Sequence, residues 1–320
     1  MKTRIEALAR VESIAFLPIL ACFVPACSSG QKAGGLGMAF QTPEEAVRTL
    51  VEAVRAEDPG KIESVLGPEG RDLVYSGDDI ADRSGMEHFL QVFGEKNHIE
   101  PAADDQVILH VGELDWPFPI PIVKRDDRWY FDTGAGKEEI LNRRIGKNEL
   151  NAIQVCLAIV DAQREYAQKD RDGDGILEYA QIFKSTPGAR DGLYWEAKGD
   201  EEPSPLGPLA AQAVREGYGK AKGPKDTDEP RPYHGYLYRI LEAQGEHAPG
   251  GAYEYVVRGK MIGGFALLAY PAEHGVSGIM SFTVNHDGVV FQKDLGKDTE
   301  KVALEMRLFD PDSTWTKASQ

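Results

Sequence analysis

The feature that most constrains this chain runs from Gly146 to Lys184, where a long apolar segment empties into a tight cluster of acidic residues. Leu150, Ile153, Leu157 and Val160 recur at three- and four-residue spacing, and Cys156, Ile159 and Ala167 widen the stripe. That pattern predicts a helix buried on most sides, so the rest of the chain has to supply elements that pack around it. Gly146 interrupts the preceding helical pattern and Asn148 can accept from the free backbone donors of a first turn. The helix is therefore expected to start near Lys147 and to end near Lys169.

The acidic cluster has a spacing with physical meaning. Asp170, Asp172 and Asp174 fall at positions one, three and five of a loop with Gly175 at six, which is the oxygen pattern of a calcium loop of the EF-hand type. Position seven would give the Ile176 carbonyl, Leu177 would point into the core, and Glu178 stands at position nine, where a ligand often acts through water. Position twelve is Gln181 instead of a bidentate Glu, so any Ca2+ bound here should be held weakly. The same residues also suit a glycine-rich turn in which Asp side chains cap backbone donors.

The first residues read as an export signal. Lys2, Arg4 and Arg10 precede an apolar run from Ile14 to Val24, and Val24-Pro25-Ala26-Cys27 closes it. This ending resembles a bacterial lipobox, with Cys27 as the lipidated residue and a lipid anchor to the membrane as the consequence; cleavage and release is the alternative. The expected location is the periplasm or the outer membrane as an anchored lipoprotein. Residues 1–27 are thus a signal and 28–39 a flexible tether. Removing residues 1–26 leaves 33 basic against 50 acidic residues, a balance that argues against nucleic acid as a partner. Cys156 is the one thiol left to the folded part, and a lone Cys on an apolar helix face reads as a small buried hydrophobe.

Two folding units are expected, at 40–135 and 146–310. Thr42-Pro43-Glu44-Glu45 is a helix start with cap, proline and reciprocal Glu. Helices at Lys61 to Leu66 and Ser84 to Phe93 follow, then strands at Val107 to Val111, Phe118 to Lys124 and Arg128 to Phe131. Residues 199–232, rich in Pro, Gly and charge, read as a mobile insertion. From Tyr233 the period changes to two, with strands at Gly235 to Ala243, Met261 to Tyr270, Ile279 to Val284 and Val289 to Lys293. The last pair is joined by Asn285-His286-Asp287-Gly288, and a helix from Thr299 to Phe309 closes the chain. The fold class is α+β: N-terminal helices plus a small antiparallel sheet, then a long buried helix packed on a second antiparallel sheet.

The element order of the first unit, closing on Arg128-Trp129-Tyr130-Phe131-Asp132, resembles the fold typified by nuclear transport factor 2. The helix, acidic turn and SFTVNHDGVV hairpin of the second are similar to the globular heads of type IV pilins and pseudopilins. The N-terminus lacks the long helix through which pilins polymerise. Over nearly the whole mature chain, NELNAIQVCLAIVDAQREYAQKDRDGDGILEYAQ, YWEA, SPLGPL, PYHGYLYRIL, GGFALLAYPAEHG and FTVNHDGVVFQKDLG resemble a bacterial exported family known as domain of unknown function 2950. That resemblance implies no activity.

No catalytic residue is assigned. The sequence has no Gly-x-Ser-x-Gly elbow, no His-Glu-x-x-His, no P-loop and no paired Cys motif, and its seven His residues show no metal-ligand spacing among themselves. His286 beside Asp287 reads as a polar turn. Tyr233, His234, Tyr270 and His274, each near glycines or aromatic residues, form a candidate groove. The leading reading is a non-catalytic binding or scaffold module of the envelope, with an envelope protein as partner. An accessory of a pilin-like secretion system and a hydrolase with an unconventional site stay open, and nothing in the sequence fixes an oligomeric state.

Overall fold

A computed structural model describes residues 37–197, 199–218 and 231–319. The signal at 1–27 with Cys27, and most of the tether at 28–39, lie outside the described residues. The end of that tether is already tied down: Met38 N donates to the Ser64 carbonyl at 2.9 Å. The chain is α+β and divides into two compact units between Ile145 and Gly146.

In the N-terminal unit, α1 (Pro43–Arg55) begins at Thr42, whose hydroxyl accepts from Glu45 N at 3.2 Å. The Glu45 carboxylate reaches one residue further back than a capping box requires and accepts from Gln41 N at 2.8 Å. Val47, Leu50, Val51 and Val54 are buried, as their spacing predicts. Next come α2 (Pro59–Leu66), a 3-10 turn, α3 (Arg71–Val74) and α4 (Asp79–Glu95). The sheet pairs β1 (Asn97–Ala103), β2 (Gln106–Val111), β4 (Ile122–Arg125) and β5 (Arg128–Phe131) in that order, antiparallel, with the short β3 (Trp116–Pro117) also on β2. Sequence reading places no strand at β1. Its core joins helix and sheet through Leu50, Val65, Leu109, Ile122 and Phe131.

The long helix α5 runs unbroken from Thr133 to Tyr166, so it starts well before the expected Lys147. Gly146 has open space where a Cβ would sit and keeps negative φ; a glycine inside a helix costs only about 1 kcal/mol, too little to break one that packing supports. Residues 152, 153, 155–160, 162 and 163 are all buried. Leu150 is the exception, 61% exposed, because the inward positions of that turn belong to Asn148 and Asn151.

In the C-terminal unit, which also holds the short strands β6 (Ile182–Lys184), β7 (Gly192–Tyr194), β10 (Tyr253–Glu254) and β11 (Val256–Val257), this helix lies against a sheet ordered β17 (Thr316–Lys317), β15 (Val290–Asp294), β14 (Met280–Asn285), β13 (Ala266–Pro271), β8 (Tyr236–Leu241), all antiparallel. Asn148 Nδ2 donates to the Ser277 carbonyl at 2.9 Å, and the Glu149 carboxylate accepts from Ile279 N and Met280 N. Fifteen residues along, Arg164 Nη2 donates to the His286 carbonyl at 2.8 Å. The C-terminal half of the helix is thus fixed to the sheet at its start and at its end. The expected turn at Asn285 to Gly288 forms, with Gly288 N donating to the Asn285 carbonyl. The closing helix α7 (Thr299–Glu305) is shorter than expected: Met306 turns extended, and Phe309 enters β16 (Leu308–Phe309), which pairs parallel with β9 (Ala243–Gln244) and is buried.

Of the insertion at 199–232, expected to be mobile, residues 219–230 lie outside the described residues. The part before them packs: α6 (Gly207–Arg215) buries Leu209, and Leu206 N donates to the Leu193 carbonyl.

Candidate functional site

The acidic loop leaves the end of α5 and returns to the core at Ala180, and one side chain fixes both ends. Gln163, fully buried, donates from its amide nitrogen to the Ala180 carbonyl at 2.7 Å and accepts from Ala180 N at 2.8 Å. The amide pairs with the N–H and C=O of one residue, as a neighbouring strand would, so the loop is clamped to the helix. Arg171, second in the loop, turns away from the acids. Its guanidinium lies over the Tyr166 and Trp195 rings at 5.4 and 5.2 Å and bonds Glu202 at 3.0 Å. Lys169 also bonds Glu202 at 2.7 Å and is the main reason that carboxyl is held below the usual range.

Within the loop, Asp170 accepts from Gly173 N at 2.7 Å and Gly175 N at 2.8 Å, and Asp174 accepts from Ile176 N. Gly173 and Gly175 carry φ of 78° and 86°, which a residue with a Cβ adopts only with strain. The backbone donors, Gly175 first, hold the Asp170 carboxyl below its ordinary value. Single carboxylate oxygens of Asp170, Asp172 and Asp174 lie within 4.8 Å of one another. The Lys260 ammonium, from the short strand β12 (Lys260–Met261), enters this cluster. It bonds Asp172, Asp174 at 2.8 Å and Glu178 at 3.0 Å, and those bonds, Asp172 first, push its pKa upward.

Three of the five expected ligands, Asp172, Asp174 and Glu178, are therefore gathered around one cation, and that cation belongs to the chain, while Asp170 is taken up by the Gly173 and Gly175 backbone. Glu178, at position nine, faces inward and also accepts from Met261 N at 3.2 Å. Leu177 does not enter the core as expected: it is 56% exposed, since the chain turns its neighbour Glu178 toward Lys260 instead. Ile176, whose carbonyl is the expected seventh ligand, has an exposed side chain. Gln181 spends its amide on the Gly259 carbonyl at 2.8 Å.

The four groove residues fall into three surroundings. Tyr233 and His234 meet the same carboxylate, Glu216, at 2.9 and 3.3 Å, with Tyr218 edge-on to Tyr233. Burial raises the Tyr233 phenol first, and Glu216 adds to the shift. Tyr270 is buried in β13, so its ring is core and not a groove wall. His274 Nε2 lies 2.8 Å from Asp294 Oδ1, where Gly296 N and then His274 keep that carboxyl low. His286 Nε2 stands 3.9 Å from Asp287, beyond hydrogen-bond reach. The Cys156 thiol is fully buried and pushed up to about 12, which leaves no thiolate at neutral pH.

One cluster escaped sequence reading. In the N-terminal unit His98 and His110 stack with ring centroids 5.0 Å apart, and Asp115 lies against both. Eleven residues lie between the two histidines, and only the pairing of β1 with β2 brings them together. The turn at Asp104-Asp105 signals the hairpin but not the pair: regular pairing about it sets His98 opposite Val111, and the irregularity between Pro101 and Ala103 shifts the register to His110.

An α+β chain with an acidic loop closed by its own lysine is the class these observations define. The chain belongs to the family described as protein of unknown function (DUF2950), whose profile matches residues 37–318. No curated protein matches it, and no solved structure matches it. The likenesses to pilin heads and to the nuclear transport factor 2 fold accordingly gain no support. Among the described residues no helix is long and apolar enough to cross a membrane.

Proposed function

We propose that this chain is an exported envelope protein, anchored by lipid at Cys27, that acts as a non-catalytic binding or scaffold module for an envelope protein and whose acidic loop responds to calcium. The observation that carries the calcium reading is the convergence of Asp172, Asp174 and Glu178 on the Lys260 ammonium. Three carboxylates aimed at one point mark where a cation is stabilised, and the oxygen donors suit a hard ion. Lys260 serves as the stand-in cation. Calcium must displace it, and the missing bidentate ligand at Gln181 weakens the site further, to a Kd of about 10⁻⁴–10⁻³ M. The export reading rests on the basic start, the short apolar run and Val24-Pro25-Ala26-Cys27.

Melting curves in several millimolar calcium and in chelator test the first part. Linkage gives about 1–2 kcal/mol at that affinity, hence a rise of a few degrees in Tm. Asp172→Ala should abolish the rise, and Lys260→Met, which removes the competitor, should enlarge it. Coincident curves for the wild-type chain would reduce the loop to a capped turn. For the anchor, mass spectrometry of protein recovered from envelopes should show a diacylglyceryl Cys27 at the N-terminus; an unmodified N-terminus elsewhere would leave export without lipid.

A further inference from the structure

We propose that His98, His110 and Asp115 form a second cation site, for a divalent transition metal of the zinc class, independent of the calcium reading above. His98 and His110 face each other directly across the antiparallel β1–β2 pair, where facing side chains stand about 4.5–5.5 Å apart at Cβ. The turn after β2 then returns Asp115, at φ 56°, to the same face. His98 Nδ1 lies 3.5 Å from Asp115 Oδ1, and His110 Nδ1 lies 3.8 Å from Asp115 Oδ2. One ligand atom from each of the three fits within 4.8 Å.

These separations are close to those of a filled site. Ligands about 2.0–2.1 Å from zinc and at tetrahedral angles stand about 3.4 Å apart; His98 Nδ1 already stands 3.5 Å from Asp115 Oδ1, and His110 Nδ1, 3.8 Å from the other oxygen of that carboxylate, is brought in by a turn of the carboxylate or ring. Imidazole donors with one carboxylate suit zinc, nickel or copper better than calcium or magnesium, which take oxygen. Three protein ligands leave a fourth position for water.

The surroundings supply the outer contacts. His110 Nε2 faces Glu100 Oε2 at 3.4 Å, so with metal on Nδ1 the Nε2–H donates to a carboxylate, the arrangement that orients a metal-bound imidazole. Without metal, His110 Nδ1 stands 3.1 Å from the Asp115 carbonyl oxygen, which can only accept, so the proton sits on Nδ1. Metal on Nδ1 therefore requires that proton to move to Nε2, where Glu100 accepts it. Lys96 Nζ bonds Asp115 Oδ1 at 2.9 Å and is the first cause of the lowered Asp115 pKa. It is therefore the competitor the metal has to overcome at that carboxylate.

Zinc titration of the full chain by calorimetry, with cobalt(II) absorption as the spectroscopic check, tests the proposal. The wild-type chain should bind, and His98→Gln should lose at least tenfold in affinity, as should His110→Gln. His98 is the safer variant, being more exposed than His110, and its metal-free Tm should match the wild type. Asp172→Ala, in the other cluster, should leave zinc affinity unchanged. Lys96→Gln should raise it several-fold. Equal zinc affinity for the wild type and His98→Gln, or no binding by the wild type, would overturn the site; a fall in affinity for Lys96→Gln would overturn the role given to that lysine.

Discussion

The acidic loop of the C-terminal unit and the histidine pair of the N-terminal unit each gather cation-binding side chains and engage a lysine of the chain, yet they are assembled differently. Asp170, Asp172, Asp174 and Glu178 are neighbours in sequence, and only Lys260 comes from afar. His98 and His110 come from two strands, and their geometry depends on strand register. Lys260 touches three carboxylates where Lys96 touches one. Donor chemistry separates the clusters further, since hard oxygen selects calcium and imidazole selects zinc. A cation cluster can therefore be built either from a local loop clamped to a helix or from long-range pairing, and only the first leaves a motif.

The largest expected effect breaks the comparison at its clamp. Gln163→Leu leaves the Ala180 N–H and C=O buried without partners, at about 1–3 kcal/mol each, so chemical denaturation should show a loss of about 2–6 kcal/mol. The calcium response should vanish with it. The histidine cluster, having no such clamp, should keep its zinc affinity.

A smaller effect sharpens the contrast between a carboxylate held by backbone and one held by a lysine. Asp170 and Asp115 are both held below the ordinary carboxylate value, Asp170 first by the Gly175 backbone donor and Asp115 first by Lys96. A carboxyl lowered in the folded state contributes stability that is fully present above its unfolded value of about 3.9 and is lost as pH falls through the folded value. Salt screens an exposed ion pair far more than a backbone hydrogen bond. Raising ionic strength should therefore raise the Asp115 titration midpoint, followed by carboxyl-carbon NMR, while Asp170 moves less. Equal movement would erase the distinction.

The loop was legible because ligand spacing is local, and so were the cap at Thr42 and the turn at Asn285 to Gly288. What periodicity could not show is which apolar side chain a turn of helix or loop gives up to solvent. Leu150 is displaced by Asn148, whose amide has a partner 129 residues away at Ser277, and Leu177 yields to Glu178, whose partner is Lys260. Gly146 was misleading for a related reason: its propensity cost is smaller than the packing on either side of it. Arg171 carries no sequence sign of its place between Tyr166 and Trp195. His98 stayed hidden because β1 has no buried residue and thus no alternation to betray it.

The register that sets His98 opposite His110 also bears on descent. Substitutions elsewhere in the hairpin leave the pair intact, but a single inserted or deleted residue between the two strands turns one partner to the other face of the sheet, because side chains alternate with a period of two. The irregularity between Pro101 and Ala103 shows that β1 already absorbs one such offset. In members of the family that keep both histidines, the length of chain between them should vary less than the residues that fill it.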